Sequence, residues 1–196
     1  VKKQVDGVGE TSEERQRVLG VSSLGHTFEA FKAIPGTVGA YKAMKDLAKG
    51  KVETPLLLCY GGVGNGKTHL LEAMVITFRS RGIPAYYRSW MEVSRTLLAS
   101  MRDKDMLPYD KILGNYCRSE LPLLLDDVGL GETQSGWEYA PLEEIVNYRY
   151  RMRLITVLVS NKDISELPDR IVSRFSDPDV GVVVLNSGKD YRRRKR

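Results

Sequence analysis

Apolar residues fall along this chain in two rhythms that alternate. Short, nearly continuous apolar runs at 55–60, 85–90, 121–126, 154–159 and 180–185 read as five strands. Between them, helical spacing predicts helices over 68–81, stopping before Gly82 and Pro84, then over 91–102, 109–118 and 141–152, with a last one over 165–175. Ahead of the first strand, 37–49 followed by Gly50 also reads as a helix. Strands with so little polar alternation are covered on both faces, which predicts an α/β fold with a five-stranded parallel sheet between helices. Residues 1–25, rich in Lys, Glu, Ser and Gly, break the rhythm and read as a linker or the stub of a missing region. No internal repeat is visible.

Length and composition then set limits. A chain of 196 residues suffices for one α/β domain. Its longest apolar runs are about five residues, far short of the ~20 that cross a bilayer, and no signal-peptide pattern opens it. A soluble, cytoplasmic protein with no membrane partner is expected. Cys59 and Cys117 lack metal-ligand spacing and read as buried thiols of a reducing compartment. The chain begins at Val1, as a fragment would. Lys and Arg total 30 against 25 Asp and Glu, and the last five residues, 192–196, are all basic. The excess is thus a tail at 191–196, suited to a polyanion such as nucleic acid or simply a solvated end.

Chemistry first shows itself at residues 59–73, CYGGVGNGKTHLLEA, where Gly61, Gly66, Lys67 and Thr68 have the spacing of a phosphate-binding loop. Gly61, Gly62, Gly64 and Gly66 let the backbone curl its amides toward a phosphate, with Val63 and Asn65 between them. Lys67 would neutralise phosphate oxygens, and Thr68 would ligate Mg²⁺ beside a bound nucleotide. The loop leaves a predicted strand and opens a predicted helix, the context this motif requires.

The stretch LPLLLDDVG ends an apolar strand on Asp126 and Asp127. Placed at the sheet's carboxyl edge, Asp126 would hold or orient Mg²⁺ and Asp127 could polarise an attacking water. Asn161 ends the fourth strand in ITVLVSN, where it would orient that water or cap a turn. A GTPase would read guanine with Asn-Lys-x-Asp, but here Asp163 follows Lys162 directly, which argues against guanine. No basic lid of a small-molecule kinase can be identified.

Taken in order, GGVGNGKTHLL, LLLDDVG, IVNYRYRMRLITVLVSN and RIVSRF resemble the AAA+ ATPases of the DnaC and DnaI helicase-loader type, with the IstB transposition ATPases close by and the DnaA initiators more distant. The resemblance runs from about His26 to Arg192, so residues 26–190 form the expected ATPase domain. Thr68-His69-Leu70 and Asn147-Tyr148-Arg149-Tyr150 are its more specific parts. It implies ATP as the nucleotide, with His69 beside the site, and Arg174 as a finger that reaches the ATP of a neighbouring subunit. Arg170, one helical turn earlier, would assist. The segment HTFEAFKAIPG would put Phe28 and Phe31 near the adenine as packing residues.

The same resemblance implies single-stranded DNA as a partner, gripped by an inserted helix at 91–118. There Leu97, Leu98 and Met101 could face the sheet while Arg95, Arg102 and Lys104 track phosphates. Three departures stand out. Asp127 replaces the usual Glu, eleven residues after Leu185 are too few for a full helical lid, and only a short stub precedes His26. Arg192 is a candidate for the lid's missing arginine. The expected function is an ATP-dependent loader of a replicative, DnaB-like helicase that works as a self-oligomer. The alternatives are an IstB-type regulator of a transposase on duplex DNA, and an ATP-switched binding protein with negligible turnover.

Overall fold

The computed structural model describes residues 20–129 and 139–191. Arg192, the rest of the basic tail and residues 1–19 of the expected linker lie outside the described residues. Helix α1 (Val38–Ala48) precedes β1 (Leu56–Tyr60), and α2 (Lys67–Ser80) leads to β2 (Tyr86–Ser89). Then come α3 (Trp90–Arg102), α4 (Tyr109–Arg118), β3 (Leu123–Val128) and α5 (Tyr139–Arg151). The chain closes with β4 (Thr156–Ser160), a 3₁₀ turn (Ile164–Glu166), α6 (Asp169–Phe175) and β5 (Gly181–Leu185). The strands pair in the order β2-β3-β4-β1-β5, all parallel, as the apolar runs predict.

Alternate residues of each strand point to opposite faces, and the core divides accordingly. Leu56, Leu58, Leu123, Leu125 and Leu158 pack under Trp90, Leu97, Leu113, Ile145 and Phe175 of α3 to α6. Leu57, Cys59, Leu124, Val157 and Val159 pack under Met44, Leu70, Met74 and Phe78 of α1 and α2, and under Phe28. Both cysteines are free and buried, and burial pushes the Cys59 thiol up to about 12 and the Cys117 thiol up to about 11, away from reactivity. Among the described residues no helix is long and apolar enough to cross a membrane, and no helical lid follows β5.

Three local expectations change. The helix expected over 165–175 is broken, because Pro168 disfavours helical geometry at Leu167; a 3₁₀ turn capped by Asp163 precedes α6 instead. In α3 the face toward the sheet is Trp90, Val93 and Leu97. Leu98, one step round from that face, is half-buried, and Met101, on the same face one turn beyond Leu97, is 53 % exposed in the helix's last turn. The packed structure also begins before residue 26, since Val21 is buried in the α1–α2 face.

Candidate nucleotide-binding site

Three strand ends at one edge of the sheet build the site. The loop after β1 turns into α2 at Gly66, whose φ of 87° lies in the left-handed region. A side chain there would also collide with Phe31, 2.6 Å from the position of a Cβ. Gly61 has φ 138°, and a Cβ on it would lie 2.2 Å from the Asn186 carbonyl. Lys67, 3 % exposed, donates to the carbonyls of Gly61 at 2.7 Å and Gly62 at 2.6 Å and to Asn65 Oδ1 at 3.0 Å. Burial holds its ammonium below the ordinary lysine value, opposed by the nearby acids.

The β3–β4 pairing passes from Leu125 opposite Leu158 to Val128 opposite Ser160, which puts one extra residue into β3. Such a bulge re-aims side chains. It sends Asp126 inward, where it is 4 % exposed, and leaves Asp127 half-buried with φ 53°. Asn161, directly after β4, donates from Nδ2 to Asp127 Oδ1 at 2.7 Å. Because β4 lies between β3 and β1, this pair sits beside the loop, where the sequence reading places it. The Thr68 hydroxyl hydrogen-bonds Asp126.

The Asp126 carboxyl is pushed up to about 6, first by burial and then by the Asp127 charge. Its proton is held to higher pH in the folded chain than in the unfolded one, where it leaves near 3.8, so the stability cost of Asp126 grows as pH rises from about 4 to 6 and is complete above 6. Asp126→Asn is therefore expected to stabilise the ligand-free protein by about 1–3 kcal/mol at pH 7.5. Thermal unfolding across pH checks this: the gap to wild type should be widest above pH 6 and close below pH 4. A variant less stable than wild type at pH 7.5 would contradict it.

These elements line a cavity of about 950 Å³ together with His26, Phe31, Lys32, Val63, Asn65, Asp127, Asn161 and Tyr191. His69 lines it too, with Nε2 donating to the Thr27 carbonyl at 2.9 Å. Phe28 is 1 % exposed and purely packing, whereas Phe31 reaches the cavity wall. Arg170 and Arg174 do not line it. Arg174 Nε donates to Asn147 Oδ1 at 3.0 Å, with its guanidinium 5.0 Å from the centre of the Tyr150 ring. Arg170, 80 % exposed, lies 3.4 Å from Glu143 Oε2. Arg95, Arg102 and Lys104 are exposed on and just after α3, away from the cavity.

This order of strand-end motifs is matched by known proteins. The profile of the bacterial DnaA ATPase domain matches residues 23–184. The chain belongs to the bacterial DnaA ATPase-domain family. It is thus a AAA+ ATPase domain, and DnaA names attach to its sequence relatives. The chromosomal replication initiator DnaA of Rippkaea orientalis is 34 % identical over 161 residues, covering 77 % of this chain and 34 % of the relative. The chain spans about a third of the length of the curated relatives it matches. A DnaA initiator structure bound to AMPPCP and single-stranded DNA superposes with TM-score 0.68 at 26 % identity, covering 84 % of this chain and 50 % of that one. The DnaC helicase loader shares the fold, with TM-score 0.67 at 20 % identity over 84 % of this chain and 98 % of that one.

Several residues of this DnaA-family site carry no motif. Asn186, fully buried after β5, accepts from Asn65 Nδ2 at 2.6 Å through its carbonyl and donates back to the Asn65 carbonyl at 3.3 Å, bracing the phosphate loop. Tyr191 N–H donates to the Gly64 carbonyl at 2.9 Å. Their partners lie more than 120 residues away in the chain, so no local pattern announces them.

Proposed function

We propose that this domain hydrolyses ATP between subunits stacked head to tail on single-stranded DNA, and that the assembly places a replicative helicase during replication initiation. The Asn161–Asp127 contact beside the Lys67 loop carries this reading, because it joins the water-activating acid to the phosphate-binding loop across adjacent strands. The AMPPCP and single-stranded DNA bound by the DnaA neighbour support the ligand classes. The helicase partner rests on the resemblance of the Thr68-His69-Leu70 and Asn147-Tyr148-Arg149-Tyr150 motifs to helicase loaders.

Among the described residues no cluster of three His, Cys, Asp or Glu side chains could hold a metal alone. The Thr68 hydroxyl bonded to the buried Asp126 fits Mg²⁺ shared with phosphate oxygens, the usual arrangement for that ion. When bound, Mg²⁺ neutralises charge on the β- and γ-phosphates. The α2 N-terminus, the loop amides and Lys67 hold the phosphates. Asn161 fixes one oxygen of Asp127, and the other takes a proton as the water oxygen bonds to the γ-phosphorus and the bond to the β-phosphate oxygen breaks. ADP and phosphate leave.

Arg174, half-buried against Asn147 and Tyr150, is the finger for the next subunit's ATP, with Arg170 beside it. Turnover per subunit should consequently rise with protein concentration and with added single-stranded DNA; turnover indifferent to both would contradict the assembly. Replacing Arg95, Arg102 and Lys104 by alanine should flatten the salt dependence of DNA binding by about two units of log–log slope. An unchanged slope would remove these three from the DNA surface.

A further inference from the structure

Glu72 lies on α2, one turn beyond His69, and its side chain is 1 % exposed, yet no Lys or Arg among the described residues pairs with it. A buried carboxylate is costly unless donors surround it. Here they come from one short stretch of chain: Ser22 N–H at 2.8 Å, Ser22 O–H at 3.1 Å and His26 Nδ1 at 2.6 Å. The Tyr87 hydroxyl stands farther off, at 3.5 Å.

The His26 ring stacks on His69, with centroids 4.4 Å apart and planes 27° apart, and the next residue, Thr27, accepts from His69. Residues 22–27 are therefore fastened to two successive turns of the helix that begins at the phosphate loop. The same stretch continues into Ala30, Phe31 and Lys32, which line the cavity, with Phe31 against Gly66 of the loop. Phe31 closes against His69 at 5.2 Å and Tyr191 at 5.9 Å.

We infer that Glu72, through its clasp on Ser22 and His26, is a positioning residue that sets the cavity wall facing the nucleotide's base. The inference rests on the ATP-site reading above. The clasp contributes preorganisation: without it the wall must be ordered on binding, and affinity for the base-bearing end of the ligand falls. The phosphate end, held by Lys67 and the loop amides, is untouched. A carboxylate kept only for folding would not discriminate the two ends of the ligand.

Calorimetric titration of the full chain with Mg·ATP and with Mg·tripolyphosphate, which has no base or sugar, separates these roles. Glu72→Gln and His26→Ala should each weaken ATP binding about tenfold and leave tripolyphosphate binding within about twofold. If Glu72→Gln does not fold, Ser22→Ala takes its place, because it removes only the hydroxyl donor at 3.1 Å and leaves the Ser22 N–H and His26 on the carboxylate; it should weaken ATP binding and spare tripolyphosphate in the same way. Equal losses for both ligands, or no loss for either, would overturn the inference. Wild-type protein that binds ATP no better than tripolyphosphate would remove the base site itself, and with it the reading on which the inference stands.

Discussion

Arg174→Ala is expected to lower ATP turnover about a thousandfold while leaving ATP affinity within about twofold, the signature of a finger that acts in the transition state. The geometry explains both halves. Arg174 does not line the cavity, so binding of nucleotide to the same subunit does not use it. Its guanidinium is already oriented by Asn147 Oδ1 and the Tyr150 ring, so little ordering remains when a neighbouring ATP arrives. Tyr150 is itself held by Asp177, to which its hydroxyl donates. Steady-state turnover with a parallel binding titration checks the split. A variant that keeps wild-type turnover, or that loses binding in proportion to turnover, would contradict the assignment.

Arg149→Ala should produce the largest loss of stability, about 3–5 kcal/mol, although the residue is remote from the chemistry. Its guanidinium is 1 % exposed and donates five hydrogen bonds. They run to Thr156 Oγ1 at 2.8 Å and to the carbonyls of Tyr116, Ser119, Leu121 and Ile155 at 3.1, 2.7, 2.8 and 2.8 Å. Those acceptors lie at the end of α4, before β3 and around the start of β4. One side chain thus ties the entry of two central strands to α5. Among the described residues no carboxylate balances the charge, and burial lowers its pKa to about 10. Removing it orphans four carbonyls inside the protein.

Arg149→Lys should recover only part of the loss, because an ammonium offers three donors without the planar fork. Thermal and denaturant unfolding measure both variants. A loss below about 1 kcal/mol for the alanine variant would show that water or a neighbour replaces the guanidinium.

The parts of this protein that were legible beforehand are those whose cause is local. All strands but β2 (Tyr-Tyr-Arg-Ser) carry an apolar run; Asp126 and Asp127 follow the leucines of β3, Asn161 follows β4 and Lys67 follows the loop after β1, so the strand ends bring them to one edge. Arg170 and Arg174 were placed on one helix face by their spacing, although Pro168 shortened that helix. The face of α3 was read correctly at Leu97, but Met101, on the same face one turn on, stays exposed because it falls in the helix's last turn.

What stayed hidden depends on partners distant in the chain. Arg149 belonged to a recognisable motif, but nothing nearby marks it as buried among strand-edge carbonyls. Glu72 reads as one more polar residue of an amphipathic helix until Ser22 and His26 fold onto it. Asn186 follows an edge strand as any turn residue might.

The central claim is that one active site is built from two subunits, and a mixing experiment tests it most directly. Lys67→Ala removes the phosphate-binding lysine and Arg174→Ala removes the finger, so each variant alone should be nearly inactive. In an equal mixture, random assembly joins an intact loop to an intact finger at about one interface in four, so about a quarter of wild-type turnover should return. A mixture as inactive as its two components, with assembly confirmed by sedimentation, would show that the site is completed within one chain.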